Sequence, residues 1–135
     1  MAFLAEILTK IEIDGDPDEI RVSYPAEYSF SPEKQLIEYQ ELTEDGIVHT
    51  KITVTADFVD IERDNAAMPC MHLREGETVC FNIETLFGSI PVTCRCERTL
   101  SKLDEHGGRI HLRYTLDMGG GESHNTVNIK ISESS

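Results

Sequence analysis

Six polar residues interrupt stretches whose alternation otherwise places apolar side chains on one face: Thr50, Arg63, Thr85, Arg98, Tyr114 and Asn125. Thr50 stands among Val48, Ile52 and Val54, and Arg63 follows Val59 and Ile61. Thr85 follows Phe81 and Ile83, Arg98 follows Val92, Cys94 and Cys96, and Asn125 precedes Val127 and Ile129. Tyr114 interrupts the stripe from Ile110 to Met118. A buried polar group without a partner costs roughly 1–3 kcal/mol, so each of these needs a reason to be there. In one reading they satisfy one another, turn backbone or water, with the two arginines extending past strand ends. In the other, Arg63 and Arg98 face the mouth of an enclosed pocket and hold an anionic group, because the guanidinium fork matches carboxylate and phosphate.

Other candidate chemistry is weaker. Cys94-x-Cys96 and Cys70-x-His72 lack the knuckle spacing of zinc sites, and cysteine among apolar residues is ordinarily a small core residue. No metal and no other cofactor is expected. Ser89 follows Gly88 without a nucleophile elbow around it. His49, His72, His106, His111 and His124 fall on polar faces or in turns. Asp60 and Glu62 project together from one strand as a solvated face. Gly119-Gly120-Gly121 precedes no helix, so it reads as a hairpin loop and not as a phosphate cradle. No catalytic residue is assigned, and a non-enzymatic role is favoured.

The elements that position these residues have a period of two almost throughout. Strands are expected over about 3–13, 19–30, 35–42 and 47–56, then around Val59–Arg63, Met71–Leu73, Val79–Thr85, Ile90–Arg98, Ile110–Met118 and Val127–Ile131. Asp14-Gly15-Asp16-Pro17, Glu44-Asp45-Gly46, Asp64-Asn65, Glu75-Gly76 and His106-Gly107-Gly108 supply the turns. Pro25 marks a bend or bulge, and Ser132–Ser135 reads as a frayed tail. About ten short-linked strands, each with one apolar face and with no helix among them, predict an all-β fold. It is an up-and-down antiparallel β-barrel formed by a single domain over residues 1–135.

The 135 residues include 12 Lys and Arg against 25 Asp and Glu, a formal net charge of −13. Nucleic acid and anionic membranes are therefore poor partners, and no apolar run is long enough to span a bilayer. The acidity is uneven: residues 1–67 carry 5 basic and 16 acidic side chains, residues 68–135 carry 7 and 9. The amino terminus lacks the basic and apolar regions of a signal peptide. A cytoplasmic setting with reduced thiols is the expectation.

Several weak motifs, in order, carry a resemblance. They are Ile37-Glu38-Tyr39-Gln40-Glu41, the Asp-Gly hairpin followed by Thr50, and Val59-x-Ile61-x-Arg63. Thr85-Leu86-Phe87-Gly88, Gly108–Tyr114 and Asn125–Ile131 follow. Together they resemble the YwiB-like family of small uncharacterised bacterial proteins. The resemblance implies a calycin-like barrel, related in architecture to lipocalins, and a bacterial cytoplasmic protein without an established activity. Arg63, Thr85, Gly88 and Tyr114 match recurring positions. Asp64-Asn65 stand where the family commonly has glycine, and Ile83 where it has an aromatic residue.

The functional expectation is a barrel binding a small, partly apolar, anionic ligand through Arg63, Arg98, Thr50, Thr85, Tyr114 and Asn125. The alternative is a filled barrel acting as an interaction module, with another protein or a second copy of itself, as a homodimer, for partner.

Overall fold

Alternation along the chain becomes a ten-stranded antiparallel sheet. The computed structural model describes residues 2–44, 46–64 and 70–134. Asp45, Asn65 and Ser135, which the sequence reading places in turns and tail, lie outside them. The strands are β1 (Ala2–Ile13), β2 (Asp16–Phe30), β3 (Gln35–Thr43), β4 (Gly46–Val54) and β5 (Val59–Arg63). Then come β6 (Cys70–Leu73), β7 (Thr78–Thr85), β8 (Gly88–Asp104), β9 (Gly107–Asp117) and β10 (Glu122–Ser134). The spatial order is β6-β5-β4-β3-β2-β1-β10-β9-β8-β7. Consecutive strands are neighbours except β6 and β7, and the one non-consecutive pair is β1 with β10, where the meander curls round into a nearly closed barrel. The ends of this order are β6 and β7, and the segment joining them is tied to β8: Gly76 N donates to Cys96 O and Cys96 N to Glu77 O.

The inner face carries the core. Ala5, Ile37, Val54, Leu73 and Leu112 are wholly buried, and Ile52, Val59, Val92 and Ile110 nearly so. Cys94 and Cys96 belong to this core as free thiols. Burial pushes the Cys94 thiol up to about 11, so it is a neutral apolar filler at physiological pH.

Two departures from simple alternation matter. A bulge between Cys96 and Arg98 lets β8 run on to Asp104, past the Arg98 end read from sequence. The extra residue swaps the faces, as any one-residue slip must. Residues 132–134 pair in register with β1, from Leu4↔Ser132 to Ala2↔Ser134, so the expected frayed tail is part of the sheet. Pro25 causes no break: β2 pairs with β3 only from Ala26 onward, so no ladder bond on that side calls for an amide at 25.

Gly107 and Gly108 close the β8–β9 hairpin where nothing larger fits. Both have positive φ, and a Cβ would lie 2.2 Å from Ile131 O at the first and 1.9 Å from Lys102 O at the second.

Candidate functional site

The geometry begins with a fork in the barrel wall. The β2–β3 pairing stops at Ala26↔Tyr39, and residues 16–25 of β2 pair with β1 alone. Inward-facing residues of β3 become more exposed past this point, from buried Ile37 and Tyr39 to half-buried Glu41 and exposed Thr43. The interior therefore meets solvent here.

Three strands deliver side chains to this mouth. Cross-strand register sets Tyr39 opposite Thr50 and Thr50 opposite Arg63 on the inner face, in one row over β3, β4 and β5. Glu41 is the next inward residue after Tyr39. The end of β5 is held by Asp64, whose N–H donates to His49 O at 3.1 Å while its Oδ1 accepts from His49 N at 2.6 Å. This clamp fixes the backbone next to Arg63.

Glu41 is the hub. Its Oε2 accepts from Thr50 Oγ1 at 3.0 Å, from Arg63 Nε at 3.0 Å and from Arg63 Nη2 at 2.7 Å. The Glu41 side chain is 16% exposed and that of Arg63 35%. Tyr24 stacks on Tyr39 at 5.2 Å between ring centroids, with the planes nearly parallel. Burial chiefly raises the Tyr39 phenol above its ordinary range, Glu41 adds to the rise, and Arg63 opposes it. Tyr24 moves the same way for the same reasons. Tyr114, on the β9 wall, is pushed up to about 12, first by burial and then by Cys94, and Arg63 again opposes the shift. One guanidinium thus acts on three phenols. Tyr39 and Tyr114 are under one-tenth exposed, yet none of these three hydroxyls has a hydrogen-bond partner among the described residues. Among the described residues no buried side-chain N or O is both sealed from solvent and without a partner, so the Tyr39 and Tyr114 hydroxyls keep some contact with solvent.

The six residues singled out from sequence divide accordingly. Thr50 and Arg63 meet at the mouth through Glu41, and Tyr114 lies on the inner face of β9, where the Arg63 charge still reaches its phenol. Asn125 is buried beside Tyr114 in register, and its amide donates locally to Ser123 O and Ser123 Oγ, both at 3.1 Å. Thr85 builds the β7–β8 hairpin instead: its hydroxyl donates to Gly88 O at 2.7 Å and accepts from Phe87 N at 3.1 Å. Arg98 does not share the face of Cys94 and Cys96. The bulge turns it outward, exposed and opposite Arg113.

Sequence reasoning passed over Glu41, Tyr39 and Tyr24. The signal for two of them was present, since Ile37, Tyr39 and Glu41 alternate on one face of β3. Glu41 changes the chemistry: the Arg63 charge is already matched, so the mouth is not a bare anion hole.

His49 adjoins the mouth through its backbone bonds to Asp64, and His124 lies elsewhere. His124 Nδ1 is 3.2 Å from Thr115 Oγ1, which itself donates to Glu97 Oε1 at 2.6 Å. Thr115 is 2% exposed and occupied by that bond, so the trio braces the bulge. Among the described residues no group of His, Cys, Asp and Glu is arranged to hold a metal ion, and no helix is long and apolar enough to cross a membrane.

Comparison with known proteins places the chain in a family. No curated protein matches the sequence. The crystal structure of the ywiB protein from Bacillus subtilis superposes with a TM-score of 0.86 at 21% identity, covering 99% of this chain and 92% of that one. At that identity the likeness establishes the fold alone. Residues 6–131 match the family described as a domain of unknown function, DUF1934, and the chain belongs to that family.

Proposed function

We propose that this protein binds a small, partly apolar molecule at the barrel mouth and does no chemistry on it. The observation that carries the reading is the stacked Tyr24–Tyr39 pair set beside the Arg63–Glu41–Thr50 cluster, with both phenol hydroxyls unengaged among the described residues. The aromatic pair offers a flat apolar wall. The phenols, Glu41 Oε1 and Arg63 Nη1 offer donors and acceptors at its edge. The Arg63–Glu41 pair is neutral as a unit. An anionic group is held only beside the Glu41 charge, so an uncharged or zwitterionic ligand with a planar part fits better than a simple anion.

Native mass spectrometry of the protein purified from its own cells tests this, repeated after denaturation. A reproducible small mass that is lost on denaturation, and absent from Tyr39→Ala and Glu41→Gln proteins that still fold, is the expected result. A bare spectrum for the wild-type protein counts against it.

A second reading, the interaction module, is favoured by Leu86 and Phe87, which are 100% and 99% exposed at the β7–β8 hairpin tip. It takes a second copy of this chain as partner. Sedimentation of the wild-type protein beside Leu86→Ser/Phe87→Ser distinguishes it: a dimer abolished by the double change supports it, and a monomer in both removes it.

A further inference from the structure

The outer face of β8, β9, β10, β1 and β2 holds a cluster that neither reading uses. Register writes it as three rows. Lys102, Arg109 and Lys130 lie side by side across β8, β9 and β10, and the row continues to Glu6 and Ser23. Two residues further along the strands, Leu100, His111, Asn128 and Leu8 form a mostly uncharged row ending at Arg21. Two further again, Arg98, Arg113, Thr126 and Lys10 form the third row, ending at Glu19. These three rows hold seven of the chain's 12 Lys and Arg residues and two of its 25 acidic ones, and acidic residues such as Glu12, Asp117 and Glu122 stand beyond them on the same strands. The patch formed by the rows is positive on a molecule whose net charge is −13.

These cations have not been neutralised internally. Of the seven, only Arg21 has a carboxylate within 4.0 Å among the described residues, that of Glu19 at 2.9 Å. Five of these six unpaired cations have another directly across a strand pair, which is unexpected where acid outnumbers base two to one, since like charges on neighbouring strands destabilise a sheet. A groove of about 710 Å³ runs along the first cationic row and the middle row, where Lys102, Arg109, Lys130, Leu8, Leu100 and His111 help to line it, and the third row lies beyond its edge. Leu100 is 44% exposed, and the His111 ring is held by Asn128 Oδ1 at 2.7 Å.

We infer that this groove docks an acidic amphipathic helix of a partner protein. The two cationic rows are four residues apart along each strand, roughly 13 Å. An α-helix is about 10–12 Å across, so its carboxylates reach both rows while its apolar stripe covers Leu8 and Leu100. A single-stranded nucleic acid would want aromatic platforms, and His111 is the one aromatic ring on the three rows. A long polyanion would also run off the face onto an acidic remainder, whereas a short helix ends with the patch. A two-fold dimer through this face would set cation against cation.

The test is fluorescence anisotropy with a labelled synthetic peptide of about 20 residues, leucines at i, i+3, i+4 and i+7 and glutamates on both flanks. The expected result is saturable binding that weakens with salt. A scrambled peptide of equal composition binds at least about tenfold more weakly, because it keeps the charge and loses the stripe. Lys102→Glu/Arg109→Glu/Lys130→Glu abolishes binding while Arg74→Glu, on β6's side of the molecule, leaves it unchanged. Absence of saturable binding overturns the inference. So does equal binding of the scrambled peptide, or tighter binding of an oligouridylate of the same length. A salt-sensitive dimer of the wild-type protein that the triple change dissociates also overturns it, because the face would then serve a second copy. Circular dichroism melts of each variant confirm that the comparison is between folded proteins.

Discussion

Arg63 at the barrel mouth and Arg109 on the outer face carry the same charge under opposite constraints. Arg63 is two-thirds covered and makes two hydrogen bonds to one carboxylate oxygen. Arg109 is exposed, sits between Lys102 and Lys130, and has no carboxylate within reach among the described residues. Covering a cation removes its hydration, so a partner is compulsory at position 63. In open solvent a cation keeps its water, and salt screens its neighbours over about 8 Å at physiological ionic strength. Crowded like charge is therefore tolerable outside and intolerable inside. The inner cluster is a structural commitment, and the outer one is a surface that stability alone does not ask for.

The largest expected effect separates the two regions by pH. Tyr114 is pushed up to about 12, and Tyr24 and Tyr39 are also raised, burial being the main cause in every case. A phenol whose folded-state pKa lies above its unfolded value of 10 binds its proton more tightly when folded. Its contribution is fully present below pH 10 and is lost as pH rises towards 12. Urea midpoints should therefore fall between pH 10 and 12, and phenolate absorbance should rise together with unfolding. Tyr114→Phe should flatten that fall. A wild-type midpoint constant to pH 12 would mean that the mouth is as wet as the outer face.

Next in size is the hub. Glu41→Ala leaves the Arg63 guanidinium partly covered and unpaired, and should cost about 2 kcal/mol, between the values for exposed and buried pairs. Arg63→Met in the same background should recover much of the loss, which denaturant titration of both proteins measures. A single change costing no more than a surface substitution would erase the contrast drawn above. Smaller still, Thr50→Val keeps the shape and removes one donor to Glu41 Oε2, for about 1 kcal/mol.

How much of this was legible follows from the same physics. Period-two alternation with turn residues between strands gave the ten antiparallel strands and the inward face of β4, β5, β9 and β10, because core burial enforces that pattern. Thr50, Arg63 and Tyr114 could be picked out as polar residues on that face. Glu41 could have been, but a carboxylate near a turn looks solvated until its partner, 22 residues away, is known to lie beside it. The β8 bulge had no marker in Cys96-Glu97-Arg98, so Arg98 was read on the wrong face and the strand was ended there. The outer basic face was hidden by the bulk composition. Its cations are scattered from position 10 to 130, and only the β1–β10 pairing brings the two ends of the chain together.

The smallest predicted effect is the sharpest statement of the contrast. Arg109→Glu reverses a charge, a change that at position 63 would set two carboxylates against each other in a half-covered mouth. On the outer face it places a carboxylate directly between Lys102 and Lys130, its cross-strand neighbours. Opposite charges in that arrangement stabilise a sheet by a few tenths of a kcal/mol, and the like-charge repulsion they replace is removed as well. The variant should therefore melt at or slightly above the wild-type temperature, with a gain of about 0.5 kcal/mol or less that disappears in 1 M salt. Measured loss of stability would show that Arg109 has a structural partner, and the outer face would then belong with the mouth as part of what holds the barrel together.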